Sequence, residues 1–160
     1  MTGLSTDTVL AREVAWLSAT NDSLPHLIAP AGPFDTIAAY WPRPTGNGPA
    51  IYVMRGQISL GDSGEGTTMP SHSIQLKVWW PINADLVVEQ VALDAAIELM
   101  LQRVVGFEFT KDHGSRFLSA AVAQRPGTAA VTVTFSDPER ADGQLRALVS
   151  YTVDDFEVNV

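Results

Sequence analysis

The chain has 160 residues and a mass of 17.2 kDa, a length that fits one domain able to bury roughly 70% of its unfolded surface. Hydrophobic residues make up 46% and charged residues 18%, which argues against a disordered chain. The formal net charge of -8 argues against gripping nucleic acid by its phosphates, and the absence of cysteine excludes disulfides, thiolate nucleophiles and Cys-type metal sites.

The first predicted element is a helix from about Asp7 to Ala19. Ser5, Thr6 and Asp7 offer capping oxygens, and Leu10, Val14 and Leu17 form one apolar stripe. Asn21 to Ser23 ends it. Residues 25–49 hold six prolines and read as an extended connector, with a short strand over Thr36 to Trp41. Pro49 to Leu60 alternates as a half-buried strand, with Ile51, Val53 and Ile58 as its apolar side. Gly61 to Pro70 reads as a polar tip loop. Ser71 to Trp80 is the partner strand: Ile74, Leu76, Val78 and Trp80 on one face, Ser73, Gln75, Lys77 and Trp79 on the other. Pro81 ends the ladder. The two strands should pair as a long β-hairpin with its tip at residues 60–70.

A second helix is predicted from Asn83 or Asp85 to Val104, with Gly106 as terminator and Arg103 in the last turn. At 20 residues it spans about 30 Å. Its charges interrupt the apolar run, so it reads as amphipathic and not membrane-spanning. Phe107 to Phe109 reads as a short strand, and Phe117 to Gln124 as strand or short helix. Thr128 to Phe135 is a strand, Ser136 to Gly143 a turn. Leu145 to Val153 is a strand that turns Ala147, Val149, Tyr151 and Val153 to the core. Residues 154–160 read as a frayed acidic tail. The N-terminus lacks the basic and apolar segments of a signal peptide. The expectation is one α+β domain over residues 1–160, an antiparallel or mixed sheet with a long hairpin, packed by an N-terminal helix and one long central helix.

Motifs for chemistry are weak. Gly61-Asp62-Ser63-Gly64 matches part of the nucleophile motif of chymotrypsin-like proteases, but Glu65 replaces the next glycine and only His26 precedes it among histidines. Ordinary turn physics explains these glycines as well. No Gly-Lys dipeptide supports a phosphate loop. His26, His72 and His113 are too scattered to ligate a metal, and Asp112-His113 reads as a solvated turn. Asp94 and Glu98, beside Gln102 and Arg103, read as a solvated helix face. No catalytic, cofactor or metal site is expected. Trp79, an indole on a polar face, marks either a protein contact or a face covered by the N-terminal helix.

The order of elements resembles the tail terminator proteins of long-tailed, lambda-type bacteriophages. The residues that carry the resemblance are the strand opening Pro49-Ala50-Ile51-Tyr52-Val53, the acidic loop Gly61 to Gly66 and the strand Ile74 to Trp80 closing on Pro81. They are followed by the helix beginning near Asp85 and the final strand Leu148 to Val153. The connector and Pro126 to Gly143 lie outside that pattern. The resemblance implies a non-enzymatic virion protein, assembled in the host cytoplasm. It would close as a hexameric ring on the tail tube, stop its growth and join the head through neck proteins. DNA would be passing cargo, repelled by an acidic bore. Leu60, Asp62, Ser63, Glu65, Met69, Lys77 and Trp79 are the candidate interface for the ring, the tube protein or the neck protein. The alternatives are another connector, neck or tube protein, or a small cytosolic enzyme or ligand-binding domain.

Overall fold

The computed structural model describes residues 8–21, 23–40, 47–64, 67–105, 117–118, 131–140, 142–154 and 158–159. It is an α+β fold of two helices and one mixed sheet. Helix α1 (Val9–Ser18) is followed by β1 (Thr36–Ala39), β2 (Ala50–Gly64), β3 (Thr67–Pro81) and helix α2 (Leu86–Val105). Then come β4 (Phe117–Leu118), β5 (Thr132–Phe135), a 3-10 turn (Pro138–Arg140), β6 (Gln144–Asp154) and β7 (Val158–Asn159). The sheet runs β1-β2-β3-β6-β4, with β5 also on β6 and β7 on β3. Among the described strands only β1 on β2 is parallel.

Strand alternation in the sequence becomes the two faces of this sheet. Ile74, Leu76, Val78 and Trp80 of β3 are all buried, as are Ala147, Val149, Tyr151 and Val153 of β6. Ile51 and Val53 of β2 join them, since residues paired across a ladder share a face. Leu10, Trp16 and Leu17 of α1, and Leu93, Ile97, Met100 and Val104 of α2, complete the same core.

The cap of α1 is Thr8, whose Oγ1 accepts from the Ala11 N–H at 3.2 Å. Ser5, Thr6 and Asp7 lie outside the described residues. Asp85 caps α2 by accepting from the Val87 N–H at 2.8 Å, while Glu89 reaches back to the Asn83 N–H at 3.0 Å.

Four expectations are corrected. First, the proline-rich stretch is not a mere connector. Leu27 and Phe34 are fully buried, and Phe34 stands edge-on to Trp80 with centroids 5.7 Å apart. A tight loop achieves this: the Phe34 N–H donates to Leu27 O and the Ala29 N–H to Phe34 O. Gly32 is essential to it, because a Cβ there would collide with the Leu27 carbonyl and His26 O. Gly32→Ala should therefore cost at least about 1 kcal/mol, read as a lower urea midpoint with an unchanged slope.

Second, Gly61 to Pro70 is not a loop. Strand pairing continues through it, Leu60 opposite Pro70, Gly61 opposite Met69 and Asp62 opposite Thr68. Backbone pairing outweighs the glycine content because each further ladder pair satisfies polar groups that would otherwise need water. Third, the acidic end is not wholly frayed: Asp154 closes β6, and Val158–Asn159 pairs with Thr67 and Thr68. Asp155 and Glu157 lie outside the described residues, as do Phe107 to Phe109, Pro126 and all but the first two residues of Phe117 to Gln124.

Fourth, Arg103 does not lie on a solvated helix face. It is fully buried, its Nε donating to Trp16 O at 2.9 Å and its Nη1 to Pro25 O at 3.0 Å. Glu13 of α1 is buried as well and accepts from the Tyr151 hydroxyl at 2.6 Å.

Candidate functional site

Two surface features stand out from the packed body. The first is the outer part of the β2–β3 pair. β1 leaves β2 at Val53, so from Arg55 onward β2 pairs with β3 alone among the described residues. Residues 55–59 are all exposed. The register slips between Arg55 and Gln57, leaving Gly56 as a bulge, a common device at open edges. The bulge also resets the side-chain alternation. Without it Ile58 would share a face with Tyr52; with it Ile58 lies opposite His72, on the core face, beyond the reach of the core and 46% exposed.

Leu60, Asp62 and Ser63 fall on β2 of this arm, and Met69 on β3, so four of the seven candidate interface positions share it. Glu65 lies outside the described residues. Gly61 to Gly64 forms the last residues of β2.

Lys77 and Trp79 lie elsewhere, on the sheet face away from the core. Trp79 pairs with Arg146, whose guanidinium sits 4.8 Å from the indole centroid. Lys77 pairs with Leu148 on the same face. The buried residues of α1 cluster with Trp80 on the opposite side of the sheet.

The second feature is a groove of about 470 Å³ between the start of α2 and the β5–β6 edge, walled by Val87, Val91, Phe135 and Pro138, with Asp94 and Arg146 at its rim. Val87 and Val91 are each 65% exposed and Phe135 49%. Val88 is also exposed. Beyond Phe135 a shallower hollow of about 260 Å³ reaches Lys77, Thr134 and Leu148. Exposed valines are unusual helix surface, since β-branched residues lose χ1 freedom there and are paid back only by packing. The first two turns of α2 thus leave Val87, Val88 and Val91 uncovered, and the helix first enters the core at Leu93. Sequence reading missed this groove because it took α2 as uniformly amphipathic. A helical projection would have found the signal: Val87 and Val91 fall on the same side as Asp94 and Glu98, both of which are exposed.

The two described histidines do not converge. His72 is buried on β3 and His26 is half-buried in the connector, while His113 lies outside the described residues. Among the described residues no group of three His, Asp or Glu could hold a metal ion. No described helix is long and apolar enough to cross a membrane.

No protein-family model matches the chain, and no curated protein matches it either.

Proposed function

We propose that this chain is a structural virion protein that caps a phage tail tube as a ring, ends tube growth and offers the joining surface for the head and neck. The observation that carries the reading is the β2–β3 arm. Two strands of 15 residues each run past the last residue of β1, and among the described residues nothing pairs with the outer side of β2 beyond it. A long strand whose outer side has no partner among the described residues is poorly suited to a pocket and well suited to contacting another subunit, because its backbone groups can extend into a neighbouring surface. The element order, a helix, this antiparallel pair, the long α2 and then β4 to β7, follows the order on which the resemblance to tail terminators rests. The finer reading of the fold belongs here too: a long hairpin arm, with α1 and α2 packed on one side of the sheet.

The test is the mass of the native particle. The chain alone, or with tube protein, should form a closed ring of six. A permanent monomer in both conditions would overturn the reading. The outer face with Trp79 and Lys77 is the surface offered to a tube or neck protein. Trp79→Ala should lower stability by about 1–2 kcal/mol, since the half-buried indole loses its cation–π contact with Arg146 together with part of its packing. It should nonetheless weaken tube capping in a length assay of assembled tubes. Loss of folding instead would return Trp79 to a purely structural role.

A second reading has one observation in its favour. The groove beside α2 has a volume within the range of small-molecule sites. A ligand-binding domain would show a thermal shift with a small amphiphile and no self-association.

A further inference from the structure

The geometry points to a head-to-tail contact in which the arm of one copy of this chain fills the α2 groove of the next. The contact rests on the assembly role proposed above and specifies which surfaces perform it. Along β3 the arm and the groove lie at opposite ends. Ser71 pairs near the end of β6, whereas Trp79 and Trp80 pair with Arg146 and Leu145 at its start, beside the groove. The nine residue steps from Ser71 to Trp80 span about 30 Å. Surfaces so placed cannot meet within one chain. They are also different from each other, which is the requirement for a heterologous contact that closes into a ring.

The chemistry of the two surfaces is complementary. The groove is apolar in its floor, Val87, Val91 and Phe135, and acidic on its helix side, Asp94 with Glu98 one turn on. Residues 55–59 of the arm, all exposed, carry one large apolar side chain, Ile58, and one cation, Arg55. The Gly56 bulge turns Ile58 to the face it shares with Arg55, since Arg55 pairs with Ile74 and Ile58 with His72 on the core side of β3. Among the described residues neither Arg55 nor Asp94 has an ion partner. The other cation at the groove, Arg146, is stacked on Trp79. Ile58 therefore meets the valines while Arg55 meets Asp94. An ion pair across a docked surface selects the register, and the apolar burial supplies the affinity.

The test is a charge swap in the full-length chain, with association followed by sedimentation velocity and folding by circular dichroism melting. Arg55→Glu and Asp94→Arg should each weaken self-association roughly tenfold, about 1.4 kcal/mol. The double variant should recover most of that loss, because its arm and groove are again complementary. Val91→Glu should weaken association as much as either single swap, with melting unchanged in every variant. Swaps that simply add, or a Val91→Glu chain that assembles normally, would overturn the contact while leaving the ring reading intact. Variants that self-associate normally but fail to bind tube protein would assign the groove to that partner and overturn the contact. A wild-type chain that stays monomeric with and without tube protein would overturn both.

Discussion

Arg103→Ala should cost about 3 kcal/mol of folding stability, the largest loss expected of any single side chain outside the apolar core. In a domain of this size that lowers the melting temperature by roughly 6–12 °C. The reason is where its donors go. Arg103 stands in the last turn of α2, and its guanidinium holds the Trp16 carbonyl of α1 and the Pro25 carbonyl of the connector. The Trp16 carbonyl accepts from the Ala19 N–H of its own helix cap at a long 3.3 Å, so the guanidinium supplies its shorter bond. The guanidinium carbon also lies 5.1 Å from the Trp16 ring centroid. Alanine would leave both carbonyls without this donor and open a cavity beside the indole. Arg103→Lys should recover little, because one ammonium cannot reproduce a planar fork that bonds two carbonyls and stacks on a ring. Urea unfolding of the two variants decides it. A loss under about 1 kcal/mol for alanine would mean that Arg103 is not a clamp.

Tyr151→Phe is expected to cost about 1.5–3 kcal/mol, the range for a hydrogen bond to a charged group. The ring stays, so the change isolates the hydroxyl that donates to Glu13 at 2.6 Å. That bond joins α1 to β6 across the core. Glu13 has further interactions, so the carboxylate is not wholly orphaned and the loss stays below that of an isolated buried charge. A double-mutant cycle with Glu13→Gln gives the pairwise coupling. A coupling near zero would show that the bond contributes nothing net.

Both predictions concern charges that the sequence reading placed at the surface or passed over. Arg103 was assigned to a solvated face on the strength of its neighbours Asp94, Glu98 and Gln102. On the helix it lies on the other side, with Ala96 and Met100, and the helical period alone could have said so. That it is buried with partners, and not merely turned inward, depends on two carbonyls 87 and 78 residues away in the chain. No local pattern encodes such a pairing. Glu13 is the same case, its donor lying 138 residues away. The candidate interface divides along the same line. The strand positions of Lys77 and Trp79 were legible from alternation, whereas the Val87, Val91 and Phe135 groove joins a helix to a strand more than 40 residues on and was not.

Length, composition and charge described one acidic domain without cysteine, and side-chain period alone determined which face of β3 and β6 enters the core. It did so because a strand has only two faces, and an apolar face has only one place to go. Capping residues and Pro81 likewise acted locally, so the position of α2 and the end of β3 were readable. The tertiary structure decided everything that depends on distant partners. It drew Leu27 and Phe34 of the proline-rich stretch into the core and carried the strands through the glycine-rich segment. It kept Ile58 on the face of Ile51 and Val53 through one bulge, where strict alternation would have turned it away, and left the outer valines of α2 uncovered. Each outcome follows from groups far apart in the chain meeting at short range, where burial and backbone pairing outweigh the preferences of the local sequence. The acidic character of the chain thus resolves into particular places: Glu13 held inside against Tyr151, and Asp94 and Glu98 outside, beside an apolar groove.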